Sequence, residues 1–147
     1  MATSEIPLEF EREKLILRID ETIAADPNAI SGLVDRVMGI ARLMSCAKGK
    51  EMEIELALRE ALANAVVHGC KSDPGKQVQC CVGCDEGRGM LVVVRDPGEG
   101  YDPFALPDPT EAKNVFSTHG RGIFLINRLV DEVQIRRNGT EIFLRVK

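Results

Sequence analysis

The 147 residues are 44% hydrophobic and 29% charged, enough apolar material to close a packed core and the wrong composition for a disordered chain. A net charge of -4, with no stretch concentrating Lys and Arg, argues against direct nucleic-acid binding, where affinity comes largely from neutralising phosphates. The opening residues hold no apolar signal core, and the longest apolar run, Met90–Val94, falls far short of the roughly 20 residues that cross a bilayer, so a cytoplasmic protein with no membrane partner is expected.

Leu8–Phe10 and Leu15–Ile19 have strand character, the second through its alternation. Asp26-Pro27 then reads as a helix start, Asp26 capping and Pro27 in the first turn. Ile30, Leu33, Val34, Val37, Ile40, Ala41 and Met44 keep helical spacing behind it. Gly49 breaks the chain before a second predicted helix, Glu51 to His68, rich in Ala, Leu and Glu and stopped by Gly69. The alanines at 57, 61, 63 and 65 imply close packing against a sheet or a ligand.

Beyond Lys76 the pattern changes to strands. Gln77–Cys84 and Met90–Arg95 flank the polar loop Asp85-Glu86-Gly87-Arg88-Gly89. Pro97 to Gly120 is too polar and too broken by Pro and Gly for regular structure, and a loop of more than about 15 residues inside a compact domain is usually functional or disordered. A short helix over Gly122–Leu129 precedes strands near Glu132–Arg136 and Glu141–Val146, with Asn138-Gly139 as a two-residue hairpin signal. Strands joined mainly by hairpins imply an α+β two-layer sandwich, its mixed, mostly antiparallel sheet covered on one face by helices.

Cys46, Cys70, Cys80, Cys81 and Cys84 make an odd count without a secretion signal, which favours free, buried thiols over a disulfide framework. Cys81-x-x-Cys84 has the spacing of half a zinc site, but no second pair or spaced His pair completes it.

Three clusters carry residues suited to chemistry. Glu60, Asn64 and His68 are spaced four apart, which puts them on adjacent turns of one helical face. An Asn amide oxygen is a neutral hard ligand for Mg²⁺ when phosphates supply the negative charge, and a carboxylate one turn away can take a proton from an attacking hydroxyl. The same spacing also describes the solvent face of an amphipathic helix. Asp96-Pro97-Gly98-Glu99-Gly100 follows an apolar strand, where a carboxylate can accept from an exocyclic base amine and glycines admit a flat ring; a tight turn uses the same residues. His119-Gly120-Arg121-Gly122-Ile123 joins the long loop to a helix, whose free amides bind phosphate oxygens and where Arg121 adds a cation. No Walker A loop occurs in the chain.

In this order and with these intervals, the clusters resemble the N, G1 and G2 boxes of the GHKL ATPase superfamily, over roughly Leu15 to Val146. The resemblance implies the Bergerat ATP-binding fold, residues 1–147 forming a single histidine-kinase-like ATPase domain. It implies ATP and Mg²⁺, with Asp96 on the adenine amine, Asn64 on the metal, and 101–119 as a lid. Gly98, Gly100, Gly120, Arg121, Gly122 and Ile123 would line the nucleotide together with His68. Gly139-Thr140 is similar to the last G box, whose Thr supports the adenine contact.

Glu-Ala-x-x-Asn-Ala-x-x-His-Gly at 60–69, Gly-Arg-Gly-Ile-Phe-Leu-Ile at 120–126 and Asp131-Glu132-Val133 look like the anti-sigma-factor serine kinases. That group implies Glu60 as catalytic base, an anti-anti-sigma (STAS-type) protein as substrate, a sigma factor as a further partner, and a homodimer formed through Leu15–Ile19 and the first helix. A nucleotide-gated binding module with little turnover is the alternative. The ATP domain of a histidine kinase fits less well, because Glu60 matches the serine-kinase pattern better.

Overall fold

The computed structural model describes residues 15–85, 89–98 and 125–147. Five strands form one sheet: β1 (Leu15–Ala24), β2 (Gln77–Asp85), β3 (Gly89–Arg95), β4 (Glu132–Arg136) and β5 (Glu141–Val146). Their order is β1-β2-β3-β5-β4, and every pairing is antiparallel. The α+β sandwich expected from the hairpin pattern is present, with α1 (Ile30–Leu43) and α2 (Glu51–Ala63) on one face. No helix among the described residues is long and apolar enough to cross a membrane.

Alternation along the strands sorts the side chains into two layers. Val78, Cys80, Val82, Met90, Val92, Val94, Ile142 and Leu144 face the helices and join Leu33, Val37, Ile54, Leu58 and Leu62 in the main core. Cys81, Leu91, Val93 and Phe143 form a small second cluster on the opposite face. Long polar side chains cover that cluster, the Arg136 guanidinium lying 5.3 Å from the centre of the Phe143 ring.

β1 runs five residues past its predicted end, pairing with β2 through Ala24. Asp20, Glu21 and Thr22 hid that extension, because polar residues are tolerated on a strand at the rim of a sheet. Asp26 caps as expected, its Oδ1 accepting from the Asn28 amide at 2.9 Å, but Pro27–Ala29 forms a 3-10 turn before α1 begins. Gly49 has the positive φ (87°) expected of a breaker. An ion pair ties the helices together on the outside, Arg42 of α1 to Glu55 of α2 at 2.6 Å, and Arg59 pairs with the same carboxylate from within α2 at 3.4 Å.

Three expectations need correcting. The second helix is regular only to Ala63; Asn64–Gly69 is a π turn, so Glu60, Asn64 and His68 do not lie on evenly spaced turns. The last hairpin turns over four residues, not two, because β4 and β5 pair only to Arg136–Glu141 and Arg137, Asn138 and Gly139 all have positive φ. Finally, Cys46 and Cys84 are joined by a disulfide (Cα–Cα 5.5 Å), whereas Cys70, Cys80 and Cys81 are free and buried. Cys81 and Cys84 point to opposite faces of the sheet, which removes the half-zinc reading.

The expected strand Leu8–Phe10, residues 99–120 of the expected loop Pro97–Gly120 and the start of the third helix lie outside the described residues. Residues 125–129 are helical, at the predicted end of that helix.

Candidate functional site

α2 leads directly into the site. Ile54, Ala57, Leu58, Ala61 and Leu62 bury one face of this helix, which places its last turn against the sheet. Glu60 is half-buried beside that face. Asn64 follows at the start of the π turn and is only 3% exposed. A solvent-facing polar stripe would leave it open, so that reading fails for Asn64.

The Asn64 amide nitrogen is buried without a hydrogen-bond partner. An orphaned amide atom of this kind costs about 1–3 kcal/mol as long as nothing else pairs with it. The two terminal atoms of an amide exchange by a simple flip, so the orphan position suits an oxygen equally well.

The π turn widens the helix end and carries His68 and Gly69 towards β3. Its close is secured by the Cys70 amide donating to the Ala65 carbonyl at 2.9 Å and the Ser72 amide to the Val66 carbonyl at 2.8 Å. Lys71 and Ser72 then turn the chain away through left-handed conformations. Burial holds the His68 pKa below its ordinary value, so at neutral pH the ring is an uncharged hydrogen-bonding group rather than a cation for phosphate.

Asp96 emerges at the end of β3 and meets Gly69. A Cβ on Gly69 would overlap the Asp96 carboxylate, and one on Gly98 would overlap the Gly69 carbonyl. Glycine at both positions is therefore required by close approach. Asp96 Oδ1 accepts from the Gly98 amide at 2.8 Å, which fixes the carboxylate and leaves Oδ2 for another donor. Burial raises the Asp96 pKa, while the Gly98 amide and Lys76 oppose that shift.

Thr140 is the last residue of the turn that leads into the neighbouring strand, β5. Its carbonyl accepts from the Asp96 amide at 2.9 Å, and its hydroxyl donates to the Arg137 carbonyl at 2.8 Å. The tight turn and the site were competing readings of Asp96-Pro97-Gly98; the geometry contains the turn and also seats it under Gly69. Gly69, Asp96, Gly98 and Thr140 are thus brought together, with Glu60, Asn64 and His68 along the helix end leading to them. Gly100, Gly120, Arg121, Gly122 and Ile123 lie outside the described residues.

No group of three or more His, Cys, Asp or Glu among the described residues could hold a metal ion. One neutral amide fits Mg²⁺ carried mainly by phosphate and water oxygens, and fits poorly as part of a cage for a bare cation. The donor set therefore suits a magnesium nucleotide. A groove of about 480 Å³ also borders Asp96 and Thr140, but Thr22, Gln77, Gln79 and Arg95 place it on the sheet face away from α2.

Sequence reasoning passed over Gly69 as a site residue, and also Arg95 and Glu141, which form an ion pair directly behind Asp96. Only the strand register could have revealed that pair.

Residues 23–146 match the histidine kinase-like ATPase domain family. The serine-protein kinase RsbW of Bacillus subtilis (strain 168) is 26% identical over 129 residues, covering 82% of this chain and 78% of its own. The protein of the same name from Bacillus thuringiensis (strain Al Hakam) is 28% identical over 127 residues, with 80% and 76% covered. The family match takes in Glu60, Asn64, Asp96 and Thr140, the whole of β2 to β5 and the end of β1. With the helix end, the strand end and the matched span in agreement, the chain belongs to the histidine kinase-like ATPase domain family.

Proposed function

We propose that this protein is an ATP-dependent serine/threonine protein kinase that acts as an anti-sigma factor in a partner-switching pathway, phosphorylating an anti-anti-sigma (STAS-type) protein. The observation that carries the reading is the half-buried Glu60 carboxylate one turn before the buried, unpartnered amide of Asn64. The relatives named serine-protein kinase support the same activity.

In this reading Asp96 Oδ2 accepts from the adenine amine, Gly69 and Gly98 allow the close approach that seats that carboxylate, and the Thr140 carbonyl holds Asp96 in place. The Asn64 side chain is the protein's ligand for Mg²⁺, which when bound neutralises phosphate charge. Gly120, Arg121, Gly122 and Ile123 are assigned to the phosphates, and His68, uncharged, to a hydrogen bond at the phosphate end. Glu60 orients the acceptor hydroxyl of the substrate serine and takes its proton as the oxygen attacks phosphorus. Such transfer depends mainly on positioning and on fixed charge at the reacting phosphate. β1, at the rim of the described sheet, offers a route to a homodimer.

The test uses labelled ATP and a STAS-type partner from the same host. The unaltered protein should transfer label to a serine of the partner, and Glu60→Ala should bind Mg·ATP normally yet transfer at least about 100-fold more slowly. Normal transfer by that variant would remove Glu60 from its role. Stable ATP-dependent co-elution without any label on the partner would favour a nucleotide-gated binding module.

A further inference from the structure

Glu141 is 3% exposed and sits on the sheet face opposite α2. In the strand register it stands directly across from Arg95 of β3 and from Arg136 of β4. Its Oε1 accepts from Arg95 Nε at 2.6 Å, with Arg137 Nε 3.5 Å away, while Arg136 Nη1 lies 3.5 Å from Oε2. One buried carboxylate thus gathers guanidinium groups from both neighbouring strands and from the turn before Thr140.

The neighbouring rungs of the same strand pair are apolar, Val94 with Ile142 and Val93 with Phe143. An ion pair is a poor way to stabilise such a ladder, since the desolvation of two charges offsets most of their attraction. What it supplies is a fixed geometry at one rung. That rung adjoins the site on both strands: Arg95 immediately precedes Asp96, and Glu141 immediately follows Thr140. The Asp96 amide and the Thr140 carbonyl are hydrogen-bonded at 2.9 Å just beyond the pair.

We infer that Arg95 and Glu141 are positioning residues for base recognition, an ion pair on the back of the sheet that sets the Asp96 carboxylate on the front. The inference rests on the proposed role of Asp96 at adenine. The pair touches no nucleotide itself. It fixes the spacing of β3 and β5 where Asp96 leaves the sheet, and the Arg137 contact steadies the turn that ends in Thr140.

The experiment compares Mg·ADP with Mg·IDP, which carries an oxygen in place of the adenine amine, by calorimetry on the unaltered chain and on Glu141→Gln. The unaltered protein should prefer ADP, and Glu141→Gln should weaken ADP about tenfold while leaving IDP nearly unchanged, because the loss is confined to one hydrogen bond to a charged group. An equal loss for both nucleotides, or an unchanged preference, would overturn the inference and leave the proposed function standing. No heat for either nucleotide with the unaltered protein, or equal binding of both, would instead defeat the nucleotide assignment of Asp96 itself. Should Glu141→Gln fail to fold, Arg95→Lys provides the same comparison, keeping the charge and losing the planar donor.

Discussion

Gly69 lies so close above Asp96 that a methyl group on its Cα would overlap the whole carboxylate. The obstructing atoms are the mobile end of a side chain, so Gly69→Ala should fold with Asp96 pushed aside. Its expected signature is a thermal midpoint near that of the parent and Mg·ADP affinity reduced more than about tenfold. Gly98→Ala meets the backbone carbonyl of Gly69 instead, which cannot rotate away. That variant should lose about 1–3 kcal/mol of stability as well as binding. Calorimetry and denaturant melts on the two variants separate these outcomes, and equal stability losses would count against the distinction.

Asn64 leads to the opposite kind of prediction. A buried amide atom without a partner burdens the empty protein, and an apolar side chain of similar size removes the burden. Asn64→Leu should therefore melt at or above the parent temperature without nucleotide, by up to about 1–3 kcal/mol. The same variant should lose the strengthening of ATP binding that Mg²⁺ provides. A clear drop in stability would show that Asn64 belongs to the core's own hydrogen bonding and would weaken its assignment to the metal.

These contrasts mark what was legible in the sequence. Apolar runs bounded by polar, glycine-containing turns located β2 to β5 within a residue or two. Asn64 and Asp96 were legible as chemistry, through residue type and position at element ends. The π turn was not, since Asn64–Gly69 is as compatible with an α-helix by composition, and only the packing of Gly69 on Asp96 demands the wider turn. Glu141 was hidden for a related reason. A carboxylate in the run Glu-Ile-Phe-Leu reads as a strand end facing water, and its three arginine neighbours come from other strands and a turn.

The disulfide was missed because cysteine counting reports the compartment and not the distance between side chains. Cys46 follows α1 and Cys84 is the penultimate residue of β2, 38 positions further along the sequence. On the loop-closure model, breaking a crosslink of that span costs about 4 kcal/mol. Adding a reductant should lower the unfolding free energy by a comparable amount, and Cys46→Ala should melt like the reduced parent in either condition. Burial pushes the Cys81 thiol up to about 12 and Cys80 higher still, so neither should react with an alkylating reagent in the folded protein at neutral pH. Modification at the rate of a free thiol would contradict that burial.

His68 gives the pH dependence of the fold a definite sign. Burial lowers its pKa from 6.5 in the folded protein, so between the two values the unfolded chain binds a proton that the folded chain refuses. The stability it contributes is complete above pH 6.5 and declines as the pH falls through that value towards the lowered one. Asp131 adds a similar trend further into acid: the Lys147 amide and Lys50 hold its pKa below 3.8, so its contribution persists until the pH falls through that range. Asp96 works in reverse, because its raised pKa means the fold gains as that carboxylate takes up a proton. Unfolding free energies between pH 7.5 and 5.5 are compared for the parent and His68→Gln, since carboxylates with ordinary pKa values stay ionised over most of that window and Asp96 is common to both proteins. His68→Gln should flatten the decline there, leaving what His119 and Asp96 contribute to both proteins. An unchanged slope would place the titrating group elsewhere, and the uncharged state of His68 at the helix end would lose its support.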